Sequence, residues 1–163
     1  MEEAYDEKKI KAKLAELAEQ RGLLYQNEWP VFMWVKRKKE GKEIWESIEV
    51  ARIDHAWYIN IELHNKTWPL PIIVFEIAAV RKIWSLPEMK KDLENIRLSG
   101  AALGVIVLQT SSEEELQQEI PKELFINRLN IMRVIAHPIR IGIAYAGDIL
   151  RGKLRIEWLS DLY

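Results

Sequence analysis

Asp54, in Arg52-Ile53-Asp54-His55-Ala56-Trp57, and Glu76, in Pro71-Ile72-Ile73-Val74-Phe75-Glu76-Ile77-Ala78, each interrupt a stretch that otherwise reads as buried β-strand. A carboxylate removed from water without a partner costs several kcal/mol or is neutralised by a raised pKa, so each must be paired, protonated or holding a cation. Adjacent strands bring distant residues within about 5 Å of one another. Two such carboxylates can therefore converge on a hard divalent ion, Mg²⁺ or Mn²⁺, which prefers oxygen ligands completed by water. An ion so held can orient and deprotonate a water for phosphodiester hydrolysis. The competing reading is structural: ion pairs of the two acids with Arg52, Arg81 or a lysine.

The elements around the pair follow from periodicity. Ile10, Leu14, Leu17 and Ala18 repeat at helical spacing across residues 4–21, with Gly22 as a stop. Leu23 to Tyr25 and Val31 to Val35 read as strand, Lys38-Lys39-Glu40-Gly41-Lys42 as a turn, and residues 44–61 as two strands or one long bent strand. His64-Asn65-Lys66-Thr67 supplies turn residues ahead of Pro69-Leu70-Pro71, and the nearly continuous apolar run of residues 72–80 suits a strand buried on both faces. Leu86, Met89, Leu93 and Ile96 predict a helix from Leu86 to Leu98, with Pro87 in its first turn and Gly100 just past its end, and Gly104 to Leu108 a short buried strand. Ser112-Glu113-Glu114-Glu115 matches a capping box, and Pro121 opens a further helix carrying Leu124, Leu129, Met132 and Ile135. Alternation from Ile139 to Tyr145 and from Leu154 to Trp158 predicts strands flanking a Gly147-Asp148 turn. The fold class expected is α/β, with a mixed central sheet flanked by helices. A single domain spans residues 1–163, divided into a core of 1–109 and a C-terminal helix and strand extension of 110–163.

This order resembles the PD-(D/E)XK, or restriction-endonuclease-like, nuclease superfamily. Ile53-Asp54-His55-Ala56-Trp57, then Ile73-Val74-Phe75-Glu76-Ile77, Asn95 on the next helix and Gly104-Val105-Ile106-Val107 on the next strand are similar to its Asp-x-x-Trp and Phe-Glu-(Ile/Val) arrangement over roughly residues 1–109. The resemblance implies a restriction-endonuclease-like core, Mg²⁺ or Mn²⁺ on Asp54 and Glu76, and a nucleic-acid substrate. An acid from the first helix, Glu16 or Glu19, would join them, and Glu46 is a further candidate. The family's usual lysine lies two residues past the glutamate on the same strand face, where this chain has Ala78. Lys90 or Lys91 on the following helix, or Arg81 and Lys82 just after the strand, would have to supply the charge. Otherwise the site is inactive, and the chain is a nuclease-like module for nucleic-acid binding or protein assembly.

Away from the acids, Lys36-Arg37-Lys38-Lys39 is the densest basic run, suited to gripping a phosphate backbone from a hairpin tip or simply to a solvated turn. Seven Trp offer base-stacking surfaces or core anchors. His55 falls on the face opposite Asp54 in a regular strand, which favours a packed or surface histidine over a ligand. With 24 Lys+Arg against 25 Asp+Glu, no global field advertises a nucleic-acid partner. The absence of Cys excludes disulfides, thiolate catalysis and Cys-ligated zinc. No phosphate-binding glycine loop, dinucleotide fingerprint, Gly-x-Ser-x-Gly or His-Glu-x-x-His is present. With no apolar run of roughly 18 residues, a cytoplasmic protein without membrane contact is expected. Charged residues at 30% and abundant Ile suggest a thermophile. Superfamily nucleases that cut both strands often pair, so a homodimer is a further expectation, with the apolar C-terminal strands as its surface.

Overall fold

In the computed structural model, residues 5–159 are described. Their strands form one six-stranded sheet in the order of the sequence, β1 to β6. Helix α1, Glu7–Gln20, is capped by Asp6, whose side chain accepts from the Lys8 amide, and buries Ile10, Leu14, Leu17 and Ala18. β1, Leu24–Lys39, and β2, Lys42–Leu63, form a long antiparallel hairpin. Glu40 and Gly41 both take positive φ at its tip, the geometry that matches a two-residue turn to strand twist. β2 is thus one long strand, and β3, Lys66–Ala78, returns antiparallel to it through a second such turn at His64 and Asn65. Pro69 and Pro71, expected ahead of the strand, lie within β3, which already begins at Lys66.

A 3-10 turn at Val80–Ile83 leads into α2, Leu86–Leu98, and then β4, Leu103–Leu108, lies parallel to β3. Gly104 lets Ile96 of α2 settle directly on β4, since a Cβ there would collide with the Ile96 side chain. α3, Glu113–Glu119, α4, Lys122–Ala136, and the parallel β5, Arg140–Tyr145, follow. The C-terminal extension therefore continues the same sheet. The turn expected at Gly147-Asp148 is instead a short helix, α5, Ala146–Leu150, because residues 146, 147 and 149 are buried against the sheet. Of the strand expected between Leu154 and Trp158, only β6, Glu157–Trp158, pairs with β5.

Two apolar layers sandwich the sheet. α2 and α4 cover one face through Met89, Leu93, Ile96, Phe125, Leu129 and Met132. α1 and α5 cover the other, where Ile10 and Leu14 meet Trp57, Phe75, Val105 and Ile149. The architecture is α/β, with a mixed sheet flanked by helices. Among the described residues no helix is long and apolar enough to cross a membrane.

Pairing between β2 and β3 ends at His55 opposite Phe75. Towards its N-terminus β2 parts from β3 and runs into the β1–β2 arm, while β3 continues beside β4. This fork in the sheet determines where the acidic residues lie.

Candidate active site at the sheet fork

At the fork, the amide of Ile77 has lost its ladder partner on β2. Asp54 supplies a replacement: its Oδ2 accepts from the Ile77 N–H at 2.7 Å. An unpaired buried backbone amide is costly, so this bond fixes Asp54 beside Glu76. Glu76 is only 5% exposed, and its Oε1 has no hydrogen-bond partner among the described residues. Burial and then the Asp54 and Asp92 charges push its pKa up to about 9, against the opposing Lys82 charge and Asp54 backbone amide. Burial raises Asp54 to about 7, the Ile77 amide opposing, with neighbouring Glu7 adding to the rise and Lys11 opposing it. The Asp54 charge thus penalises the ionised form of Glu76, and Glu7 that of Asp54, as expected of carboxylates sharing a site.

Lys82, from the 3-10 turn after β3, fills part of the place left by Ala78. Its Nζ bonds Asp92 Oδ2 at 2.8 Å, with both side chains largely buried. Burial alone would lower the Lys82 pKa, but the bond and charge of Asp92, with Glu76 and Asp54, outweigh it and hold the ammonium protonated. Glu7 of α1 and Glu28 of β1 approach from the other side, with one carboxylate oxygen of each within 4.8 Å of Asp54 and of one another. Lys11 already bridges those two, at 2.8 Å to Glu7 and 2.7 Å to Glu28. Their mutual charge is therefore largely met, whereas Glu76 is not. Glu7, Asp54, Glu76, Lys82, Lys91 and Asn95, among others, line a cleft of about 500 Å³.

The other predicted residues separate clearly. Lys91 lines the cleft, but Lys90 does not and faces Glu94 at 3.9 Å. The rotation of about 100° between consecutive helical residues decides between these neighbours. Arg81 is taken by Glu88 at 3.0 Å, Glu16 by Lys13 at 2.9 Å and Glu46 by Arg37 at 3.7 Å, and Glu19 is exposed. The acid that α1 does contribute is Glu7. Sequence reasoning passed over Glu7 and Asp92, yet both continue apolar stripes: Glu7 precedes Ile10, Leu14 and Leu17 at helical spacing, and Asp92 falls between Met89, Leu93 and Ile96. A carboxylate on a buried stripe was the available signal.

His55 is packed in the interior rather than at the surface. Trp57 Nε1–H donates to its Nε2 at 3.1 Å and to the Leu14 carbonyl at 3.2 Å, while Nδ1 lies 2.7 Å from Asn27 Oδ1. The Trp57 bond fixes Nε2 as acceptor and so places the proton on Nδ1. Burial and then the Lys11 charge lower its pKa to about 4.

Lys36, Arg37, Lys38 and Lys39 are exposed on the arm, but Lys36 pairs with Glu43 at 2.7 Å and Arg37 with Glu46. Cross-strand glutamates thus dilute the run. The register puts Trp34 opposite Ser47 and Lys36 opposite Trp45, so Phe32, Trp34, Lys36, Lys38 and Trp45 share one face of the ribbon. Trp34 and Trp45 are 67% and 64% exposed.

No protein-family profile, curated protein or solved structure matches this chain.

Proposed function

We propose that the chain is a metal-dependent, PD-(D/E)XK-like phosphodiester hydrolase acting on DNA or RNA. The observation that carries the reading is Glu76: a buried carboxylate with an unmatched oxygen, beside a second carboxylate that the amide of the next residue, Ile77, anchors. The donor set is all oxygen and carries more negative charge than Lys82 neutralises, which fits Mg²⁺ or Mn²⁺. Asp54 and Glu76 would hold the ion, which when bound supplies Lewis-acid stabilisation and a more acidic water.

The remaining work falls to the chain itself. Lys82, held by Asp92, presents a fixed ammonium beside both acids and would stabilise the attacking oxygen and the charge developing on phosphorus. Lys91 and Asn95, on the α2 side of the cleft, would position the phosphate. The aromatic and lysine face of the arm would track the strand by stacking and charge.

The test is cleavage of single- and double-stranded DNA and RNA with Mn²⁺ or Mg²⁺. Native protein cleaves, and Glu76→Ala loses cleavage while keeping its circular dichroism spectrum. Undiminished cleavage by Glu76→Ala would refute the assignment. A second reading rests on Ala78: a nuclease-like module that binds nucleic acid or assembles with protein without catalysis. Calorimetric titration separates the two, since the hydrolase takes up Mn²⁺ at millimolar concentration and this module does not.

A further inference from the structure

A second group of acids surrounds an unmatched oxygen across β4 from the fork, outside the C-terminal ends of the parallel strands β4 and β5. Tyr145, the last residue of β5, is 3% exposed, and its hydroxyl has no hydrogen-bond partner among the described residues. It lines a cavity of about 660 Å³ together with four acids, Glu113, Glu114, Asp148 and Glu157, and three bases, Arg151, Lys153 and Arg155. Those carboxylates, Glu157 foremost after burial, all raise the Tyr145 pKa, so the phenol stays neutral and presents an oxygen lone pair.

Within this group, Glu113 of α3 and Glu157 of β6 lie within hydrogen-bonding reach of each other, although each is an acceptor when ionised. Burial and then Glu113 raise Glu157, with Arg155 opposing. Asp148 is already met by Arg151 at 2.6 Å, whereas among the described residues neither Glu113 nor Glu157 forms a salt bridge, Glu113 accepting only from the neutral Gln117 Nε2 at 3.3 Å. The pair also spans a weak place in the fold. β6 is two residues long and joins the sheet through two residue pairs, Gly142 with Trp158 and Ile143 with Glu157.

We propose that Glu113, Glu157 and the Tyr145 hydroxyl form a structural site for a hard divalent cation, Ca²⁺ in the first instance. Carboxylates from two elements and a neutral oxygen are ligands such an ion accepts, with water filling the remaining positions. Bound there, the ion would tie β6 to α3 and hold the edge of the sheet closed. The site shares no residue with the cleft at the fork and stands whether or not that cleft hydrolyses anything.

The experiment is calorimetric titration of Ca²⁺ into chelator-stripped full-length Glu76→Gln protein, in which the fork can no longer compete. One Ca²⁺ binds, with a dissociation constant of roughly 1 mM, the range of weak oxygen-ligand sites. Adding Glu113→Gln or Glu157→Gln removes that binding, and adding Tyr145→Phe weakens it roughly tenfold. Limited proteolysis after Arg155 slows with Ca²⁺ only where both glutamates remain. Absence of Ca²⁺ binding in Glu76→Gln protein, or binding unchanged by both glutamate substitutions, overturns the proposal. Should either glutamate variant fold poorly, the Tyr145→Phe titration decides alone, with unchanged affinity counting against the site.

Discussion

Replacing Glu76 by Gln should stabilise the metal-free protein at alkaline pH. The Glu76 carboxyl ionises near 4.5 in the unfolded chain and at about 9 in the folded one. Between those values the folded state retains a proton that the unfolded state has released. Stability tied to this group is therefore complete below 4.5 and is lost as pH rises through 9. At about 1.4 kcal/mol per pH unit, keeping Glu76 protonated at pH 8, against an unfolded value of 4.5, costs at most about 5 kcal/mol in the absence of a cation. Relaxation of the cleft and entry of water reduce that to about 2–5 kcal/mol. For a chain of this size 1 kcal/mol moves the melting temperature by about 2–4 °C, so Glu76→Gln should melt roughly 5–15 °C above native at pH 8 in chelator. Near pH 5 the two should nearly coincide. Mn²⁺ should raise the native melting temperature at pH 8 and leave Glu76→Gln unmoved. Differential scanning calorimetry of both proteins from pH 5 to 9, with chelator and with Mn²⁺, measures all of this. If Glu76→Gln melts no higher than native at pH 8 in chelator, burial of an unmatched carboxylate at this position is refuted.

Lys82→Met should lower the single-turnover rate of cleavage about 10²–10³-fold while Mn²⁺ affinity in calorimetry stays within a few-fold of native. Asp92→Asn, which leaves Lys82 less firmly held, should fall between native and Lys82→Met in the same rate assay. Lys91→Ala should weaken substrate binding measured by fluorescence anisotropy, whereas Lys90→Ala, outside the cleft, should match native. Trp34→Ala and Trp45→Ala should each cost about 1–3 kcal/mol of single-strand affinity in titrations at fixed salt, with circular dichroism unchanged because both rings are exposed. Leu14→Ala, which opens a void beneath Trp57 in the α1 layer, should cost about 2–5 kcal/mol in urea unfolding.

The sequence by itself determined the elements and the two central acids. Period-2 and period-3.6 patterns are local properties, so α1, α2, β4 and β5 were legible to within a few residues, and so was the interruption of apolar strands by Asp54 and Glu76. It missed α5, because Gly147-Asp148 reads locally as a turn and only burial against the sheet makes that segment helical. Tertiary structure decided everything that depends on where strands part. That β2 leaves β3 after His55 frees the Ile77 amide, and only then does Asp54 acquire the bond that fixes it. Three-dimensional placement also chose among the cations: Lys82 meets the acids because the 3-10 turn folds back under α2, while Lys90 sits on the wrong side of its helix. Residue type and spacing state which groups could do chemistry. The dielectric around each carboxylate and the nearest opposite charge are properties of the packed molecule, and no local pattern contains them.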